Sequence, residues 1–393
     1  MTDIKIREFS KRYLSDIKQT LNLIETDLLE KVEAVALLLE ETKTRKGRIF
    51  IMGNGGSAST SSHFSEDLAK GTIVGDSLRF KTISLSDSMP AILAWANDSS
   101  YDDIFVEQLK NLMEQGDVVI GLSGSGNSKN VIKAIEYANQ NGAKTIGFSG
   151  YDGGRLIKCA SINIRVPSFN MQKIEDVHMI VVHILVSLLF EREKTKLNKI
   201  TMNKEEITSE LKEHVAVVND IILSKTEDIQ SMSQLVIDSY KKGGKLIIFG
   251  NGGSAADAQH IVAELAGRYK MERDSLEAVA LTVNTSIMTA IGNDYGFDRV
   301  FEKQIEGIVK ENDVVIGIST SGNTENVLKA ILKAKEKGAK TIGWTGLGGG
   351  KLKDVVDVLL DIPTKNTPRI QESHIAIGHI MCGLLEKELF GNK

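Results

Sequence analysis

A chain of 393 residues that is 41% hydrophobic and 25% charged is long enough for two or three soluble domains, each burying its own core. Its formal net charge of -4 offers no positive field, and no basic cluster is interleaved with aromatic residues, so nucleic acid is not an expected partner. The two cysteines, Cys159 and Cys382, form neither a disulfide framework nor a metal motif, and a reducing, cytoplasmic setting is expected.

Residues 1–18 are charged and helical in pattern and lack the basic head and apolar run of a secretory signal. In residues 13–41 the apolar positions Ile17, Leu21, Ile24, Leu28, Val32 and Val35 recur at helical spacing without a proline, which predicts one long helix. Next comes Arg48-Ile49-Phe50-Ile51-Met52, a short apolar run typical of a buried parallel strand, then Gly53-Asn54-Gly55-Gly56-Ser57 and a helical stretch carrying His63 and Asp67. Further strands are predicted at 82–85, 118–122, 144–148 and 162–166, with a helix over 129–139. The apolar run near 179–190 contains His183 and is shorter than the roughly 20 residues a membrane span needs, so no membrane partner is expected.

The pattern then starts again. Gly250-Asn251-Gly252-Gly253-Ser254 followed by His260 repeats the earlier motif at an offset of 197 residues. Asn97-Asp98 returns as Asn293-Asp294, Ser123-Gly124-Ser125-Gly126-Asn127-Ser128 as Ser319-Thr320-Ser321-Gly322-Asn323-Thr324, and His178 and His183 as His374 and His379. A period this long is a duplicated domain, cut near Leu197 into residues 1–196 and 197–393, with residues 194–206 as the linker. The second copy has its own long helical pattern, from Leu211 through Val215, Val218 and Ile222 to Ile237, and strands at 245–249, 278–282, 314–318, 340–344 and 358–362, with a helix over 325–335. Strands alternating with helices predict an α/β fold, each half a doubly wound parallel sheet of five strands with helices on both faces. The two long helices are expected to bury their stripes in a bundle between repeats.

Ligands of such sheets bind beyond the carboxyl ends of the strands, where two loops of each repeat lie. Glycines let the backbone approach an anion, helix-start N–H groups point at it, and the hydroxyls of Ser254, Ser319, Ser321 and Thr324 add donors. These residue types also serve ordinary turns and helix caps, but two such loops in one domain, repeated in the other, favour a phosphate cradle without a lysine. Neither loop matches a nucleotide-binding motif, so a sugar phosphate is the expected partner and no nucleotide cofactor is expected. His260 and Glu264 stand one turn apart on a helix, and Gln371 and His379 two turns apart on another.

Together these motifs resemble bacterial phosphoheptose isomerase, a sugar isomerase (SIS) domain family, over both halves and most specifically the second. The resemblance implies two tandem SIS domains and a ketose-aldose isomerase acting on sedoheptulose 7-phosphate. It implies Glu264 as the base, with His379 returning or shuttling the proton. Asn251, Gly252, Gly253, Ser254, Arg268, Asp294, Ser319, Thr320, Ser321, Thr324 and Gln371 would bind substrate. His260, Glu264, Gln371 and His379 have the ligand types for zinc, which some family members carry. Family members form homotetramers with sites at subunit interfaces, so a homodimer of this chain would make a pseudo-tetramer.

The first repeat departs from the pattern. Its counterparts are Asn54, Gly55, Gly56, Ser57, Asp98, Ser123, Ser125 and Ser128, but Asp67 replaces Glu264 and Glu175 replaces Gln371, beside the retained His63 and His183. Withdrawing a carboxylate by more than about 1 Å can cost on the order of 10²-fold in rate, so most of the activity is expected in the second repeat. His63, Asp67, Glu175 and His183 form a second candidate metal set. SIS domains also occur as sugar-phosphate sensors and as isomerases of other sugar phosphates, which are the alternative readings.

Overall fold

Short apolar runs bounded by glycine and charge form the strands of this protein, and the helices between them bury one face each. The computed structural model describes residues 3–198 and 204–391, so residues 199–203 of the expected linker lie outside the described residues. The chain divides into two compact units, one of Ile17–Lys212 and one of Met1–Asp16 with Glu213–Lys393. Among the described residues each unit holds one five-stranded parallel sheet covered by helices, as the tandem α/β reading requires.

In the first repeat the helix α1 (Asp3–Thr44) leads into β1 (Arg48–Met52). There follow α2 (Gly56–Glu66), β2 (Lys81–Ser84), α3 (Met89–Asp98), α4 (Val106–Leu112), β3 (Val118–Ser123), α5 (Lys129–Gln140), β4 (Lys144–Ser149), α6 (Leu156–Cys159), β5 (Ile162–Arg165) and α7 (Met171–Asn198). The strand order is β2-β1-β3-β4-β5, and β1 pairs in parallel with both β2 and β3. Strand order reverses between β1 and β3, the crevice where doubly wound sheets bind ligands. Phe50, Met52 and Val119 pack against Leu109, Ile135 and Leu156 on one face of this sheet.

The second repeat opens with α8 (Lys204–Ser224) and α9 (Thr226–Lys241), where one continuous helix was expected through Ile237. Lys225 leaves helical geometry at φ -117°, ψ 0°, and its ammonium pairs with Asp228 and Asp361. Glu227 and Asp228 in the first turn of α9 favour a fresh helix start at that point. Then come β6 (Leu246–Phe249), α10 (Gly253–Ala266), β7 (Ala278–Ala280), α11 (Thr285–Tyr295), α12 (Val300–Ile308), β8 (Val314–Ile318), α13 (Glu325–Glu336), β9 (Lys340–Thr345), β10 (Val358–Asp361) and α14 (Thr367–Phe390). The order β10-β9-β8-β6-β7 repeats the first sheet, with its reversal between β6 and β8. No helix among the described residues is long and apolar enough to cross a membrane.

Candidate active site

Residues 319–324 turn from the end of β8 into α13. Gly322 holds φ +65°, and a Cβ there would stand 2.0 Å from the Gly349 carbonyl oxygen, so no side chain fits. The Ser319 hydroxyl lies 2.7 Å from that of Thr324 and 3.4 Å from that of Ser321. Asn323 braces the turn from outside, its side-chain amide donating to the Ser321 carbonyl at 2.9 Å while its oxygen accepts the Lys351 N–H at 3.1 Å. The Thr324 hydroxyl makes no capping hydrogen bond to its own helix, and the start of a helix carries N–H groups suited to an anion.

A cavity of about 260 Å³ at this turn is lined by Thr320, Ser321, Leu347, Lys365 and Thr367. The expectation names no lysine at this turn; Lys365, an exposed residue on the segment between β10 and α14, is one of the residues that line the cavity. Its counterpart in the first repeat is Phe169, an exposed ring set edge-on to Tyr151, and this charge difference between copies was the signal in the sequence.

The loop after β6 plays a supporting part. Gly252, at φ +56°, starts α10 and lets Gly253 and the buried Ser254 enter the helix. Asn251 exchanges two amide hydrogen bonds with Asn326 of α13, at 3.0 and 3.1 Å, which ties the two ligand loops together. Asn54 and Asn130 form the same pair in the first repeat.

Beneath the loops, α10 and α14 bring His260, Glu264 and His379 together, each offering a ligand atom within 4.8 Å of the others. The two imidazoles meet nearly edge to face, and the His260 Nε2 stands 3.7 Å from a Glu264 carboxylate oxygen. All three side chains are buried. Tyr269, which the sequence reading did not single out, stacks on His379 with centroids 6.0 Å apart and 28° between planes. Gln371 is buried two turns before His379 on α14, about 12 Å along the axis.

His374, on the same helix, bonds through Nε2 to the Thr345 carbonyl at 3.2 Å. Burial pushes its pKa down to about 4 against the opposing effect of that bond, so it is a neutral tie between β9 and α14. Two expected substrate residues lie on the surface of the unit. Arg268 is exposed and pairs with Glu272 at 3.3 Å, and Asp294 is exposed on α11 with its carboxylate bonded to Asn293 at 2.8 Å.

The first repeat keeps the imidazole pair and changes the carboxylate. His63 and His183 stand 3.3 Å apart through their Nε2 atoms, with an Asp67 oxygen 3.4 and 3.8 Å from them. Burial raises the Asp67 carboxyl, but the hydrogen bond and charge of His63 and the charge of His183 outweigh it, and its pKa falls to about 2. Here α2 runs into a π-helical turn over Asp67–Gly71, whereas α10 continues regularly through Glu264. Glu175 is buried two turns before His183 and acts electrostatically on His178; the first ligand group comprises His63, Asp67 and His183. Ser123 and Ser128 hydroxyls approach to 2.9 Å, Ser125 accepts the Asn127 N–H, and Asp98 is exposed, as is its counterpart Asp294.

A doubly wound sheet with a hydroxyl-rich turn over the reversal of strand order defines a domain of the sugar isomerase class. The SIS domain family matches residues 12–150 and 211–346, and the chain belongs to that family. It is 53% identical over 189 residues to phosphoheptose isomerase of Geotalea daltonii, covering 48% of this chain and 98% of the relative. Phosphoheptose isomerase of Clostridium acetobutylicum is 55% identical over 167 residues, covering 42% of this chain and 85% of the relative. The structure of tagatose-6-phosphate ketose/aldose isomerase from Escherichia coli covers 99% of this chain and 93% of its own, with a TM-score of 0.59. At 12% identity that likeness is one of fold.

Proposed function

We propose that the second repeat interconverts sedoheptulose 7-phosphate and D-glycero-D-manno-heptose 7-phosphate through an enediol. The chain is a sugar-phosphate isomerase, and the substrate assignment extends to it the name borne by relatives more than 50% identical over about half its length. One observation carries the assignment: a carboxylate and an imidazole from separate helices, Glu264 and His379, are buried within reach of one small ligand.

The phosphate sits against Ser319, Thr320, Ser321, Thr324, the start of α13 and Lys365, and anchors the open-chain sugar. Glu264 removes the proton at C1 or C2, and His379 returns or shuttles it as the enediol collapses. Burial strengthens both groups electrostatically by excluding water. Two imidazole nitrogens and a carboxylate oxygen match the donor preferences of zinc. When bound, zinc would polarise the sugar carbonyl and stabilise the enediolate.

The first repeat binds a sugar phosphate or a divalent metal through His63, Asp67 and His183 and contributes little turnover. Its shorter carboxylate, the π-helical turn that carries it, and Phe169 in the place of Lys365 favour this reading. Two chains associate as a homodimer through surfaces that include the exposed apolar residues Met89, Leu93 and Ile287, which sedimentation at several protein concentrations would test.

The test of function is exchange. Sedoheptulose 7-phosphate incubated with the protein in deuterated water gains deuterium, with Asp67→Asn retaining most of the rate and Glu264→Gln losing it. The opposite pattern reverses the assignment of repeats, and no deuterium with or without added zinc makes the chain a sensor.

A further inference from the structure

Two buried side chains outside the reacting group join every element that carries it. Arg273 and Glu386 form an ion pair at 3.0 Å between Nε and a carboxylate oxygen, with side chains 1% and 2% exposed. Such a pair is costly to desolvate unless its other hydrogen-bonding positions are filled. Here they are. The Arg273 fork donates to the carbonyls of Glu264 at 2.9 Å and Leu265 at 2.8 Å, and to those of Gly267 and Asp274. The Glu386 carboxylate accepts the backbone N–H groups of Tyr269, Lys270 and Met271 at 3.3, 2.9 and 3.1 Å.

These bonds have a definite geometry relative to the chemistry. Arg273 satisfies carbonyls at the C-terminus of α10, one of them belonging to Glu264 itself, where helix ends otherwise leave orphan acceptors. Glu386 lies seven residues, about two turns, beyond His379 on α14. The segment it holds places Tyr269 on the His379 ring. One ion pair thus couples the helix of Glu264, the helix of His379 and the ring between them. In the first repeat Asp76 and Phe190 occupy the corresponding positions, the counterpart of Tyr269 is Thr72, and the helix end carrying Asp67 takes the π-helical form.

We propose that Arg273 and Glu386 are positioning residues for the isomerisation, setting the separation and orientation of Glu264 and His379 without touching the substrate. This rests on the second repeat being the active one. It also assigns a cause to the difference between repeats beyond the Glu-to-Asp exchange. Because the pair meets no part of the phosphate cradle, its loss acts on turnover rather than on capture of the sugar phosphate.

The experiment uses the full chain. Single changes leave a buried charge unpaired and threaten folding, so the informative variant is Arg273→Met combined with Glu386→Leu, which removes both charges together. Assayed well below its own melting midpoint, it is expected to lose kcat on the order of 10²-fold while KM for the sugar phosphate stays within about threefold. Arg273→Lys, which keeps the charge but not the fork, is expected to recover part of the loss. Parent-like kcat in the folded double variant, with Glu264→Gln inactive in the same assay, overturns the positioning role and leaves the active repeat as assigned. Parent-like kcat in Glu264→Gln overturns both, because the pair would then position a carboxylate the reaction does not use.

Discussion

His260 and His379 stand with their Nε2 atoms 3.2 Å apart, their ring centroids 4.9 Å apart and their planes inclined at 71°. A Glu264 carboxylate oxygen lies within 4.8 Å of a ring nitrogen of each. Two imidazole nitrogens this close can share a proton between them or both direct lone pairs at a cation. Zinc titrated calorimetrically into the apo protein is therefore expected to bind, and His379→Ala to weaken binding to the second repeat at least about 10-fold. Unchanged affinity and stoichiometry in that variant would place the ion elsewhere.

Lys365 lines the cavity proposed to hold the phosphate, and its charge would suit that anion. A hydrogen bond to a charged group contributes about 1.5–3 kcal/mol, so Lys365→Ala is expected to raise KM about 10-fold or more. kcat should hold, because the phosphate is bound equally in ground and transition states. Steady-state kinetics decide it; a fall in kcat at constant KM would assign the ammonium to the reacting carbonyl instead.

Glycine changes of identical chemistry should have opposite signs in the second repeat. Gly322→Ala demands a positive φ from an L-residue, about 1–2 kcal/mol, and adds a clash with the Gly349 carbonyl, so the turn should deform and phosphate binding fail. Gly307→Ala lies in α12 with open space around it and should stabilise by up to about 1 kcal/mol. Melting curves together with a phosphate titration measure both.

His178 and His374 make the fold acid-sensitive. Burial holds each pKa down to about 4, against the opposing bonds to the carbonyls of Ser149 and Thr345, while an unfolded histidine titrates near 6.5. Above pH 6.5 both states are neutral and full stability is present. As pH falls from 6.5 toward 4 the unfolded chain takes up protons that the folded chain refuses, so stability is lost, on the order of 3 kcal/mol per histidine. Below about 4 this loss levels off. Denaturation followed against pH should show that slope in the parent and a shallower one in His374→Gln.

Much of this was readable along the chain. Short continuous apolar runs, helical spacing of apolar residues and glycine punctuation located the strands, the helices and both glycine-rich turns, because each depends on neighbours a few residues away. The break at Lys225 escaped, since the apolar spacing continues across it and the acid that holds its ammonium, Asp361, belongs to a strand 136 residues later. Asn251 is expected to bind substrate, yet its amide is committed to Asn326, 75 residues on. Lys365 carries no local signal, because nothing in its neighbourhood refers to a turn more than 40 residues earlier.

By itself the sequence determined that one domain is written twice, that each copy is a doubly wound parallel sheet, and that the second retains the residue types of a sugar-phosphate isomerase. Tertiary structure decided which of those residues meet. His260 and His379 are 119 positions apart, and their contact exists because α10 and α14 pack side by side, a relation set by buried side-chain shapes and by the Arg273–Glu386 pair. Local periodicity records the face a residue presents, whereas the distance between two faces is settled when the core closes.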